Sequence, residues 1–180
     1  MEDLLNNLIN FSSNNIFLIS IIFILLSNFI LPGSLIIIFY TSTLGFFYGI
    51  FASYLVLITA ICIPYFLIRL FNFNYESYLN DETNYIRTKI VNENPYKSIL
   101  FVRFTFIPFV IQNILVSLVN ISFPKFFLLN LVGLTPSIFL ISFFTESILN
   151  LRFNLLIFSV ILILLLGFFF HITYKNYINK

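Results

Sequence analysis

A chain of 180 residues with 60% hydrophobic side chains and a formal charge of only +2 has too little polar surface to cover itself in water. Charged residues are 9% of it, against about 25% in an ordinary globular domain. With a mean hydropathy of +1.03, the composition excludes a water-soluble enzyme, a nucleic-acid-binding domain and a disordered tail, and points to an all-α integral membrane protein.

Taken in chain order, residues 1–15 form a short tail, and Met1-Glu2-Asp3 lacks the basic start of a secretory signal. Ile16–Leu31 is a first span. Gly33–Leu70 is too long for one crossing, because at about 1.5 Å per residue it would reach nearly twice the roughly 30 Å hydrocarbon core. It is expected to fold back near Gly45 and Gly49, where a break is cheapest. Cys62, the single cysteine, lies in this apolar run, so neither a disulfide framework nor a cysteine zinc site is available. A polar connector, Asn72–Ser98, follows. Ile99–Val119 is apolar but interrupted by Arg103, Pro108, Gln112 and Asn113. Phe123–Leu149 and Phe153–Tyr174 are two further spans joined tightly through Asn150-Leu151-Arg152, and 175–180 is a C-terminal tail.

Two topologies compete. Either every apolar run crosses, giving six spans, or Pro32–Leu44 and Phe101–Leu118 dip in and return, giving four transmembrane helices and two re-entrant segments. With four spans and both termini inside, Arg69, Arg87, Lys89, Lys97, Lys125, Lys175 and Lys180 are cytoplasmic and Arg152 is outside, Arg103 being uncounted within a dipping segment. Six spans split the charges five against three at best, so the positive-inside rule favours the re-entrant arrangement. In the connector, Tyr75, Tyr78, Leu79, Tyr85, Ile86 and Ile90 recur near helical spacing, as in an amphipathic helix on the cytoplasmic face ending before Pro95; a solvated loop is the competing reading. The halves echo each other weakly: Pro32 and Pro108 each open a dipping segment, and each is followed by a long span with an internal proline, Pro64 or Pro136. Such broken segments at matching positions are the signature of inverted-repeat transporters.

The polar groups inside the apolar runs are the candidate site. Arg103 in hydrocarbon costs several kcal/mol unless it meets water or an anion, and its fork suits phosphate; alternatively it snorkels to the interface near Ser98. Pro32 and Pro108 stop helices and free carbonyls, which Gly33, Ser34, Gln112 and Asn113 could help line as a wet cavity. Glu146 reads either as a proton or ion relay or as an interfacial carboxylate. Arg69 and Lys125 read as interfacial anchors, and His171 as interfacial. Gly45, Gly49 and Gly133 allow close helix approach. There is no HExxH, paired acid, GxSxG or glycine-rich phosphate loop, so no catalytic set, metal or cofactor is expected.

Leu31-Pro32-Gly33-Ser34 followed by Leu44-Gly45-Phe46-Phe47-Tyr48-Gly49 resembles the first half of the VTT-domain proteins, also called the SNARE-associated Golgi protein or DedA superfamily. The second half is more similar: Phe101-Val102-Arg103-Phe104-Thr105-Phe106-Ile107-Pro108, Gln112-Asn113, Ser122-Phe123-Pro124-Lys125-Phe126-Phe127, and Leu131-Val132-Gly133-Leu134-Thr135-Pro136-Ser137 run in the family's order. The resemblance spans about residues 28–150 of a single polytopic domain, 16–174. It implies two facing re-entrant segments and lipid translocation, as in phospholipid scramblases and polyprenyl-phosphate recycling proteins, with Arg103, Pro108 and Asn113 lining the path. One departure is that the DedA branch carries an acid beside the Pro-Gly pair, whereas Leu4–Arg69 here contains none. The expected partners are membrane lipids, with a homo-oligomer left open, in a bacterial cytoplasmic membrane. The rival reading is a non-transport scaffold recruiting a partner through residues 72–98.

Overall fold

The computed structural model describes residues 15–71, 95–104 and 107–151, together with 157, 160 and 161. Among the described residues all regular structure is helical: α1 (Ile16–Leu26), α2 (Gly33–Leu44), α3 (Phe46–Leu70), α4 (Pro95–Phe104), α5 (Phe109–Ser117) and α6 (Phe123–Leu149). The expected final span, the tails, Arg152, His171 and residues 72–94 of the connector lie outside the described residues.

Length separates the helices into classes. α3 and α6, at 25 and 27 residues, are long and apolar enough to cross a membrane. α2 and α5, with 12 and 9 residues, would extend only about 18 and 13 Å, well short of the core. α1 ends earlier than its apolar run suggests, at Leu26 rather than Leu31. The reason is local: Ser27 Oγ and Asn28 Nδ2 both donate to the Ile24 carbonyl, at 3.0 and 2.9 Å, and the backbone turns over Ser27–Ile30. Much of the remaining surface is apolar and open. Phe17, Phe29, Ile30, Phe47, Tyr48 and Leu70 are all exposed. That is expected of helices solvated by lipid and is untenable for a monomer in water.

The chain packs as two compact units. The first comprises residues 1–19, 34–54 and 135–180, and the second 20–33 and 55–134. In the first, Gly45 separates α2 from α3 with φ +78°, a left-handed conformation that costs a residue with a side chain. Gly49 then lets α3 fold back against α2: a Cβ there would lie 2.5 Å from Thr41 Cα and 2.7 Å from the Tyr40 carbonyl oxygen. The fold-back of Gly33–Leu70 therefore uses both glycines, one for the turn and one for the approach. Around it, Thr41 donates to Ser142 Oγ at 3.0 Å, Tyr54 donates to Thr135 Oγ1 at 2.7 Å, and the rings of Phe46 and Phe143 lie 4.7 Å apart.

In the second unit the core is Leu57, Ile61, Tyr65, Ile99, Val102, Val116, Val119 and Phe126. Tyr65 stacks on Phe126 at 4.1 Å and donates its hydroxyl to the Ile121 carbonyl at 2.9 Å. The expected connector helix ending before Pro95 lies outside the described residues; Pro95 itself is the first residue of α4, where proline's missing N–H has no intrahelical partner to lose. Ser98, which the sequence places in the polar connector, is consequently buried on this helix. The interrupted apolar run Ile99–Val119 is divided between α4 and α5, with Pro108 as the N-cap of α5. Each half thus carries a short helix followed by a long one with an internal proline, α2–α3 and α5–α6.

Candidate functional site

The second unit buries a guanidinium. Arg103, in the last turn of α4, is 4% exposed, so it is turned into the protein and does not snorkel. Its Nε donates to Asn130 Oδ1 on α6 at 2.8 Å, and its Nη1 donates to Asn113 Oδ1 at 3.0 Å and Gln112 Oε1 at 3.4 Å on α5. Three helices therefore converge on one side chain. All three acceptors are neutral amides. Glu146 is the one carboxylate among the described residues, and it belongs to the first unit.

The local sequence explains the arrangement. Gly133 on α6 makes room for the arginine stem, since a Cβ there would lie 2.9 Å from Arg103 Cγ and 3.0 Å from its Cβ. Pro108 starts α5, and the Gln112 Nε2 donates back to the Ile107 carbonyl at 2.9 Å, satisfying a backbone oxygen exposed by the break. Asn130 Nδ2 donates to the Phe126 carbonyl at 2.8 Å, which fixes its oxygen toward Arg103. Two donors are left over. Arg103 Nη2 and Asn113 Nδ2 are buried without a hydrogen-bond partner. An unpaired buried donor is expensive, and a buried charge more so. A positive fork with free N–H groups, and no carboxylate bonded to it among the described residues, has the donor chemistry that an anion can use.

The other predicted residues are distributed differently. Pro32 is exposed, while Gly33 is buried at the start of α2, where a Cβ would meet the Phe109 ring at 3.2 Å and Leu57 Cδ2 at 3.4 Å. Ser34 and Glu146 fall in the first unit. Glu146 accepts from Asn150 Nδ2 at 2.7 Å at the C-terminal end of α6. Asn130 was not singled out from the sequence, although an amide in the middle of an apolar span was itself the signal. Arg69, expected as an interfacial anchor, donates to the carbonyls of Tyr65, Ser117, Val119 and Ile121 at 3.1–3.3 Å, the last three gathered from the end of α5 and the chain just after it. Its guanidinium also lies 3.4 Å over the Tyr65 ring. No three His, Cys, Asp or Glu side chains converge among the described residues.

The VTT domain family model matches residues 31–147, which takes in α2 to α6 and every residue of the Arg103 cluster. The chain belongs to the VTT domain family. Together with its apolar helices, that membership makes it an integral membrane protein. No curated protein and no solved structure matches the chain. The chemistry of this VTT domain is therefore argued from its own residues, of which Arg103 carries most.

Proposed function

We propose that this VTT-domain protein lets a phospholipid or lipid-phosphate headgroup pass between leaflets, with Arg103 as the phosphate ligand. The observation that carries the reading is the buried guanidinium, bonded only to neutral amides among the described residues, with a free Nη2 beside the free amide N–H groups of Asn113. In apolar surroundings these donors can replace the water that a phosphate loses on leaving the interface. Gln112 and Asn130 hold the fork, and Pro108 and Gly33 shape its surroundings. Ser34 and Pro32 flank the start of the first dipping segment. α2 carries no acid, which favours facilitated exchange over proton-coupled uptake.

The reading places the protein in a bacterial plasma membrane as one polytopic domain. It has four spans, two re-entrant segments built on α2 and α5, and both termini in the cytoplasm. The short α2 and α5, each paired with a long helix, support that arrangement. Single cysteines at Leu35–Ile38 and at Leu115–Leu118 should each be labelled from one side of the membrane only. Labelling of either segment from both sides refutes the topology.

The test of function is headgroup accessibility in liposomes containing purified protein and one labelled lipid at a time. Wild type should expose inner-leaflet label, and Arg103→Ala should abolish this. Arg103→Lys, which keeps the charge but loses the fork, should restore little. Exchange at the wild-type rate in both variants refutes the assignment of Arg103.

A further inference from the structure

The two free donors of the Arg103 site are buried, so an anion can reach them only if a neighbour moves. The described polar neighbours are poor candidates. Gln112, Asn113 and Asn130 are buried, and each is hydrogen-bonded to the arginine. Phe109 differs on both counts: it is half-buried, and it meets the guanidinium through its ring alone, with Arg103 Cζ 5.7 Å from the ring centroid. It is the first residue of α5, directly after the Pro108 break, and its ring lies where a side chain at position 33 would crowd it: a Cβ on Gly33 would fall 3.2–3.3 Å from Phe109 Cδ2 and Cγ.

We propose that Phe109 is the movable cover of the Arg103 site and that Gly33 supplies the space in which its ring swings. This rests on the reading of Arg103 as an anion ligand, and it gives the Pro-Gly start of α2 a role that needs no contact with substrate. A ring shields the cation when no anion is present and yields without breaking a hydrogen bond.

The experiment reads access directly. In full-length protein carrying Cys62→Ala and Gln112→Cys, the rate of modification by a small anionic methanethiosulfonate reagent is measured in liposomes. Phe109→Ala should raise that rate about tenfold, the scale of losing a ring–cation contact on a desolvated guanidinium. Phe109→Leu should be intermediate, and Phe109→Trp and Gly33→Ala should lower it. The rate at native Cys62, in protein without the other two changes, should not respond to Phe109→Ala. Equal rates at position 112 across the series, or a parallel rise at Cys62, overturn the cover. If the rates follow ring size while no variant or wild type exchanges lipid, the cover stands and the transport reading falls. If the rates are flat while exchange still requires Arg103, the reverse holds.

Discussion

Gly133→Ala is the sharpest probe of the Arg103 cluster, because two known effects oppose each other there. In an exposed helix interior, alanine is favoured over glycine by about 1 kcal/mol. At position 133 the new Cβ would lie 2.9 Å from Arg103 Cγ and 3.0 Å from its Cβ. Carbon atoms prefer about 3.5–4.0 Å, and the atoms struck belong to the arginine stem, which cannot swing aside as a chain tip can. Overpacking of this kind costs about 1–3 kcal/mol. Displacing the stem also stretches the 2.8 Å bond to Asn130 and the 3.0 Å bond to Asn113, and bonds to a charged group contribute about 1.5–3 kcal/mol each. After the helix gain, a net loss of about 2 kcal/mol is expected. Thermal unfolding in detergent should show a lower midpoint, and lipid exchange in liposomes should fall. Val132→Ala, one position away on the exposed face, is the control and should change neither. A Gly133→Ala protein that melts above wild type and exchanges lipid normally would refute the claim that Arg103 is held in a fixed place.

Three further outcomes are expected. Arg69→Gln should lower the unfolding midpoint by the equivalent of about 2–4 kcal/mol, since the carbonyls of Ser117, Val119 and Ile121 lose a charged donor, and Arg69→Lys should recover only part of it. Gly45→Ala should cost about 1–2 kcal/mol from its left-handed φ alone, as nothing lies within 4 Å of the new Cβ. Gly49→Ala should be more damaging, because its Cβ strikes backbone at 2.5 Å, and equal melting of the two variants would count against the tight α2–α3 approach. A double-mutant cycle of Thr41→Val and Ser142→Ala, read by reversible unfolding, should give a coupling of about 0.6–1.7 kcal/mol, and zero coupling would deny the 3.0 Å bond.

What the sequence discloses follows from how costly its alternatives are. A polar side chain in an apolar run has few cheap destinations, so Arg103, Gln112 and Asn113 could be chosen without coordinates, and they do converge. Gly33–Leu70 exceeds the bilayer, so it had to break, and glycine is the residue for which a left-handed turn costs nothing. The misses have equally physical causes. Residues up to Ser98 read as polar connector, yet a helix already starts at Pro95, because a proline in a first turn loses no intrahelical bond. The end of α1 depends on Ser27 and Asn28 bonding back to Ile24, a choice those side chains could equally have refused. Phe109 is one of 26 phenylalanines and carries no signal until its ring is seen against Arg103. Arg69 ends a span, where any cation reads as an anchor. Its partners lie 48–52 residues away and are backbone atoms that no side-chain pattern marks.

The two described arginines of the second unit, Arg69 and Arg103, differ in what they leave for a ligand. Both are cations in an apolar chain, and each must satisfy a planar fork of donors. Arg69 points its terminal nitrogens at four carbonyl oxygens, and its flat face covers Tyr65. Three of those oxygens, on Ser117, Val119 and Ile121, lie at or just past the end of α5, where the peptide dipoles gather partial negative charge, so the guanidinium is both bonded and partly neutralised. An anion arriving there would have to displace structural bonds. Arg103 meets three side-chain amides, which supply bonds but no net charge, and one of its terminal nitrogens remains unbonded. Asn113 presents its oxygen to the arginine and thereby leaves its own N–H groups unpaired within the same cluster. The first arginine closes a break in the backbone. The second has no charged partner among the described residues and keeps spare donors, which are the two properties that the proposed passage of a phosphate through an apolar medium calls for.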